Sequence, residues 1–288
     1  MTKQEFRELA QRPVILDGAT GSNMIKAGMP RGVCAEKWIL EHPQAIIDLQ
    51  RAYVEAGSQI VLAPTFGANR IALAMHGLTE FQKEYNMRLV ALSQEAVEGR
   101  AYVAGDLSTG GRILESSEEA TYEEALERYK EQISYLTEAG ADLLIVETMI
   151  NIDETVAALE AAQQVCDLPV LCSMTVEADG SIYSGGNAFS AMETLQELGA
   201  DAVGVNCSVG PDQLISIVSG LKKIAAVPVI VKPNAGMPTI TETGEALYSM
   251  SAEEFGRHMK VLVEAGAGVL GGCCGTTPEY IKEMCRLL

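Results

Sequence analysis

Short apolar runs recur along the chain, each followed by a stretch with helical periodicity. The runs are Val14-Ile15-Leu16, Gln59 to Ala63, Ala101 to Ala104, Leu143 to Val146, Val170 to Met174, Ala202 to Val205, Val229 to Val231 and Gly268 to Leu270. Apolar runs of this length followed by helical patterns predict parallel strands in βα units. Helices are predicted between them at about 43–56, 80–98, 122–139, 152–166, 190–198, 211–225, 251–265 and 277–286. Several end alike, with Glu-Ala-Gly at 55–57, 138–140 and 264–266 and Glu-Leu-Gly at 197–199. Gly at that position adopts the left-handed conformation that closes a last helical turn. Pro169 and Pro228 precede the fifth and seventh runs, where a missing N–H costs little. Eight consecutive βα units predict an α/β fold, a (β/α)8 TIM barrel forming one domain over residues 1–288. A doubly wound open sheet usually has fewer strands and needs a switch point.

The polar residues follow these runs. Strand one ends at Asp17-Gly18-Ala19-Thr20-Gly21, two at Pro64-Thr65-Phe66-Gly67, three at Gly105-Asp106 and four at Glu147-Thr148. Five ends at Thr175, six at Asn206-Cys207, seven at Lys232-Pro233-Asn234 and eight at Cys273-Cys274. Every strand thus delivers polar or thiol groups at its C-terminal end, where barrel enzymes build their active sites.

Composition narrows the class of function. A net charge of −18, from 21 Lys and Arg against 39 Asp and Glu, argues against nucleic acid as a partner. That acidity reads as solvated helix faces, or as a docking face for a basic partner. The chain has no apolar run of the roughly 18 residues that a membrane span needs. Met1 to Arg12 alternates charge and polarity without a signal-peptide core, so a cytoplasmic location is expected. The seven cysteines lack a regular framework spacing, and in a chain of 288 residues they read as reduced thiols or metal ligands.

Three of those thiols form a pattern. Gly271-Gly272-Cys273-Cys274-Gly275-Thr276-Thr277-Pro278 lies between a strand and a helix, and Cys207 lies at the equivalent point after strand six. Glycines let the backbone turn sharply and approach a ligand closely. Two strand ends on one barrel rim can converge, and a soft all-thiolate set favours zinc over magnesium or calcium. Three protein ligands leave a fourth position open, whereas structural zinc is usually closed by four. No fourth ligand is expected here, since His42, His76 and His258 fall in helical or connecting stretches. Cys34, Cys166, Cys172 and Cys285 read as small buried hydrophobes. Zinc bound by three thiolates is a poor activator of water but suits a substrate thiol held as nucleophilic thiolate. Alkyl transfer to a thiol is the reaction class that follows.

These stretches resemble the homocysteine S-methyltransferase family, most closely the homocysteine-binding N-terminal module of cobalamin-dependent methionine synthase. The matching segments are Leu16-Asp17-Gly18, Pro64 to Arg70, Val146-Glu147-Thr148, Asn206 to Pro211, Pro233 to Gly236 and Gly271 to Pro278. The resemblance implies a barrel with one zinc on Cys207, Cys273 and Cys274, and homocysteine sulfur as fourth ligand. By similarity, Asp17 and Glu147 hold the substrate's α-amino group, and backbone N–H groups around Gly18 and Ala19 take its carboxylate. Asp17 is equally able to cap the turn that follows it. An unpaired Glu147 at the end of an apolar strand would be costly. Asn234 is a candidate to orient a ligand, although Pro-Asn-Ala-Gly also serves as a turn.

The chain departs from the family pattern at three places. Ala63-Pro64-Thr65-Phe66 replaces the usual Thr-Asn-Thr-Phe, and Lys232 stands where Glu usually precedes Pro-Asn-Ala-Gly. Gly105 to Gly110 lacks the proline of the usual Gly-Pro-x-Gly turn. No folate-binding barrel or cobalamin domain follows helix eight in this sequence, so the chain is read either as an excised module or as a free-standing enzyme whose methyl donor comes from elsewhere. A separate methylated corrinoid protein carrying methylcobalamin is the preferred donor. S-methylmethionine, S-adenosylmethionine or a betaine, another thiol acceptor, and a non-catalytic zinc barrel are the alternatives.

Overall fold

A computed structural model describes residues 1–109, 121–241 and 246–288. Eight parallel strands form one sheet: Val14–Ile15, Ile60–Leu62, Tyr102–Leu107, Leu143–Met149, Val170–Met174, Ala202–Asn206, Val229–Lys232 and Ala267–Leu270. Numbered one to eight, each of strands two to seven pairs with its successor, and strand one pairs with strand eight. The seam between strands one and two is closed mainly by side chains. Gln59 N–H donates to the Ile15 carbonyl at 2.8 Å, and Ile15 N–H donates to Gln59 Oε1 at 3.0 Å. Asp17 Oδ2 then accepts the Leu62 N–H at 2.9 Å, doing the work of a missing strand carbonyl. The expected (β/α)8 barrel is the observed architecture.

Side chains alternate across a strand with a period of two, so each strand sends one set inward and the other toward the helices. The inward set packs as a compact cluster: Val14, Leu16, Ile60, Leu62, Ala104, Leu143, Ile145, Leu171, Ala202, Ile230 and Val269. Phe6 joins it from an N-terminal helix, Lys3–Leu9, and is fully buried. Thr2 and Glu5 form a capping box at the start of that helix. Composition pointed only to an alternating polar segment here; one apolar residue turned into the barrel makes it a plug.

Seven of the eight outer helices lie within about two residues of their predicted spans: Pro43–Ala56, Gln82–Val97, Tyr122–Glu138, Ile152–Val165, Ala188–Glu197, Ala252–Glu264 and Pro278–Leu287. The fifth of them starts at Ala188 because Asn187 Oδ1 accepts the N–H groups of Phe189 and Ser190. The sixth divides into a single 3-10 turn, Pro211–Gln213, and a helix, Ile215–Ile224. Strands three and four run on to Leu107 and Met149, past the polar residues expected to end them. They continue because Asp106 and Glu147 point inward, while Leu107, Val146 and Met149 pack in the outer core.

Two insertions crown the C-terminal end. The segment after strand one folds into short helices, Gly21–Lys26 and Ala35–Glu41, whose Met24 and Ile39 are buried. After strand seven, Pro238–Ile240 and Ala246–Tyr248 form an antiparallel hairpin. Gly110, at the end of the proline-less turn, lies outside the described residues. Among the described residues no helix is long and apolar enough to cross a membrane.

Candidate metal centre and substrate pocket

Cys207, Cys273 and Cys274 converge at the C-terminal mouth of the barrel, with their Sγ atoms all within 4.8 Å of one another. Cys207 Sγ and Cys274 Sγ are 3.5 Å apart. Zn–S bonds of about 2.3 Å in a tetrahedron put sulfurs about 3.8 Å apart, so the donor set and its spacing fit zinc. Among the described residues this is the one group of His, Cys, Asp or Glu with such geometry.

Backbone geometry explains why the motif is rich in glycine. A Cβ on Gly271 would lie 2.8 Å from the Asp17 carbonyl, and one on Gly272 would overlap Thr276. Gly275 has φ +85 and packs against the Tyr248 ring. Thr276 Oγ1 donates to the Cys273 carbonyl at 2.7 Å and accepts the Ala19 N–H at 3.1 Å, tying the thiol turn to the loop after strand one. Cys207 sits in the left-handed region at φ +47, as does Thr148 at φ +57. Asn206 braces both strand ends: its Oδ1 accepts from Thr148 N–H and Ser173 Oγ, and its Nδ2 donates to Thr148 Oγ1. Strained non-glycine residues held this firmly are typical of functional sites.

The three thiols share protons unevenly. Cys274 is held down at about 3, by its hydrogen bond with Cys207 first and Cys273 next; burial opposes this and the Tyr248 phenol assists. Cys273 is pushed well up by its hydrogen bonds with Cys207 and Cys274, and then by burial. One thiolate flanked by donors is the arrangement that a thiophilic cation would take over.

A cavity of about 290 Å3 opens beside the thiols. One wall is apolar, from Met24, Ile39, Leu62, Pro64 and Phe66. The floor is charged, from Asp106, Glu147 and Lys232. These three continue the inward-facing rows of strands three, four and seven, two residues beyond Ala104, Ile145 and Ile230. Lys232 Nζ lies 2.5 Å from Glu147 Oε2, with both side chains buried. Burial works against the Lys232 charge, but attraction to Glu147 and then Asp17 outweighs it and keeps the ammonium protonated. Asp106 is pushed well above the carboxylate range by burial and then by Glu147. Glu36, from the insertion after strand one, joins the cavity wall and accepts the Gly67 N–H at 2.9 Å.

The residues singled out in the sequence fall in distinct places. The three cysteines, Glu147, Gly18 and Ala19 line the cavity. Asp17 is buried at the seam, and burial, opposed by Lys232, raises its carboxyl to about 7. Gly18 is required by packing, since a Cβ would lie 2.7 Å from the Tyr53 hydroxyl. The Ala19 N–H is engaged by Thr276 rather than turned to the cavity. Asn234 lies behind the rim, where its Nδ2 donates to the Ser208 carbonyl at 3.1 Å. Asp106, Glu36, Thr276 and Tyr248 were not singled out. For Asp106 a signal existed: it continues the alternation of an apolar strand. For the other three, the contacts come from segments distant in sequence.

Known proteins resemble this chain in sequence and in fold. The chain is 29% identical to the methionine synthases of Mycobacterium leprae (strain TN) and Mycobacterium tuberculosis (strain ATCC 25618 / H37Rv), over 96% of its own length and 24% of theirs. It thus spans about a quarter of the length of the curated relatives it matches. The metallated form of the homocysteine methyltransferase MmuM from Escherichia coli superposes with a TM-score of 0.82, at 23% identity over 99% of each chain. At that identity the likeness speaks to the fold alone. The homocysteine S-methyltransferase family matches residues 14–288, from the first strand through the last helix, and the chain belongs to that family.

Proposed function

We propose that this barrel transfers a methyl group to the thiol of homocysteine, with one zinc held by Cys207, Cys273 and Cys274. The observation that carries the reading is the convergence of three thiols at the mouth of a cavity with a charged floor. Zinc, when bound there, supplies the acidity that presents a substrate thiol as a nucleophilic thiolate at neutral pH. The chain's own residues do the rest. Asn206 and Thr276 fix the strand ends that carry the cysteines, so the three sulfurs are preorganised. The acidic floor, Glu147 and Asp106 with Asp17 behind them, provides carboxyl oxygens to accept from the α-ammonium of an amino-acid thiol. The turn at Gly18 and Ala19 is the side on which its carboxylate lies, and Asn234 supports the rim from behind. Met24, Ile39 and Phe66 exclude water along the aliphatic stem.

The donor is a methylated corrinoid carried on another protein or domain. Support comes from the motifs shared with the module of cobalamin-dependent methionine synthase and from relatives named methionine synthase. A second reading keeps the zinc and changes the thiol, and it is favoured by the Lys232–Glu147 pair, which engages a carboxylate that the resemblance gives to the substrate.

The deciding experiment is X-ray absorption at the zinc edge on reduced protein, with and without L-homocysteine, alongside zinc per chain. One zinc with three sulfurs that gains a fourth on addition is expected. A shell that ignores homocysteine but responds to another thiol would move the function to the second reading. Protein that retains no zinc would sink both.

A further inference from the structure

The cavity floor contains more acid than its one cation neutralises. Of the carboxylates there, Glu147 is engaged by Lys232 at 2.5 Å. Asp17 spends one oxygen on the Leu62 N–H and lies at the seam rather than on the cavity wall. Asp106 differs from both. Its side chain lines the cavity with the three cysteines, the residue is 6% exposed, and its Oδ1 is buried with no hydrogen-bond partner. Its backbone is fixed, because Asp106 N–H donates to Thr65 Oγ1 at 3.0 Å and Thr65 Oγ1 donates to the Asp106 carbonyl at 2.8 Å. Gln132 holds Thr65 in turn, at 2.9 Å. A rigid strand therefore holds a carboxyl group at the wall of a substrate-sized space with one oxygen buried and unpartnered; burial and Glu147 favour its protonated form there, and an incoming cation offsets both. Leaving such a group without a donor is costly, so a ligand that supplies one gains what the empty pocket lacks.

The geometry points to Asp106 as the residue that reads the ammonium group of the acceptor thiol, with Lys232 withdrawing Glu147 from that task. The acceptor class is an amino-acid thiol whose cationic nitrogen lies near strand three rather than strand four. This rests on the thiol-acceptor reading above and adds the residue that sets its specificity. With Lys232 engaging Glu147, strand three is left to supply the unpaired carboxyl.

The test is calorimetric titration of zinc-loaded protein with L-homocysteine and with 4-mercaptobutanoate, which has the same thiol and carboxylate but no amine. The wild type should prefer homocysteine by about ten- to hundredfold, the range of a charge-assisted hydrogen bond. Asp106→Asn should remove most of that preference while zinc content and affinity for 4-mercaptobutanoate stay unchanged. The assignment is overturned if Asp106→Asn keeps the preference, or if Glu147→Gln alone abolishes it. It is also overturned, without any variant, if the wild type binds both thiols equally. Failure of the underlying reading has a different signature: the zinc-edge spectrum of the wild type would keep three sulfurs with either thiol, sinking the acceptor chemistry and the role of Asp106 together.

Discussion

At its N-terminal end the barrel is filled by the apolar side chains of Phe6, Val14, Ile60, Leu143 and Ala202. At its C-terminal end the same strands carry Asp106, Glu147, Lys232 and three thiols, and two non-glycine residues sit at positive φ. The first end lowers free energy by removing apolar surface from water. The second accumulates costs: buried charges, orphan oxygens on Asp17 and Asp106, and backbone strain. One barrel thus separates stability from chemistry along its axis, and the closed apolar end offsets the cost of the polar one.

This contrast can be broken most sharply at the thiols. Cys207→Ala, Cys273→Ala and Cys274→Ala should each lose zinc and methyl transfer altogether, with the barrel still folded. Metal analysis and circular dichroism on each variant check this, and an active, zinc-loaded variant would remove its cysteine from the centre. Next in size is Lys232→Met, which leaves Glu147 as an uncompensated buried charge and should cost about 3–5 kcal/mol in urea unfolding. Adding Glu147→Gln to that variant should restore much of the loss. A double variant no better than the single one would mean that the pair is not the issue.

At the other end, Phe6→Ala should cost about 3 kcal/mol, the range for deleting a buried aromatic ring. Zinc content should not change. Loss of zinc in that variant would show the two ends to be coupled, against the separation drawn here.

The smallest effect concerns Asp17, which helps close the seam between strands one and two. Its carboxyl is raised to about 7 in the fold, from an ordinary value of 3.8, chiefly by burial. The folded state therefore holds a proton that the unfolded chain releases near pH 4. The stability from this group is fully present below that pH and is lost as pH rises toward 7. Asp17→Asn keeps an acceptor for the Leu62 N–H but cannot ionise. Its unfolding free energy should fall less than that of wild type between about pH 4 and 7, by up to one proton's worth of slope. Parallel curves would mean that Asp17 titrates normally.

The sequence by itself determined the barrel. Eight apolar runs alternating with amphipathic stretches leave few ways to bury both faces of a parallel sheet. It also marked the thiol centre, because glycines crowd a Cys-Cys pair only where backbone must pass close to its neighbours, as Gly271 and Gly272 do. Only the tertiary structure decided how the pocket is wired. Lys232 found Glu147 across 85 residues, and Thr276 took the Ala19 N–H across 257. Tyr248 reached Cys274 from a hairpin that no periodicity marks. Such pairings depend on which strand ends lie side by side around a closed ring, and a local pattern of apolar and polar residues does not encode that distance. Alternation along strand three could turn Asp106 inward, but only the completed ring left its carboxylate without a partner.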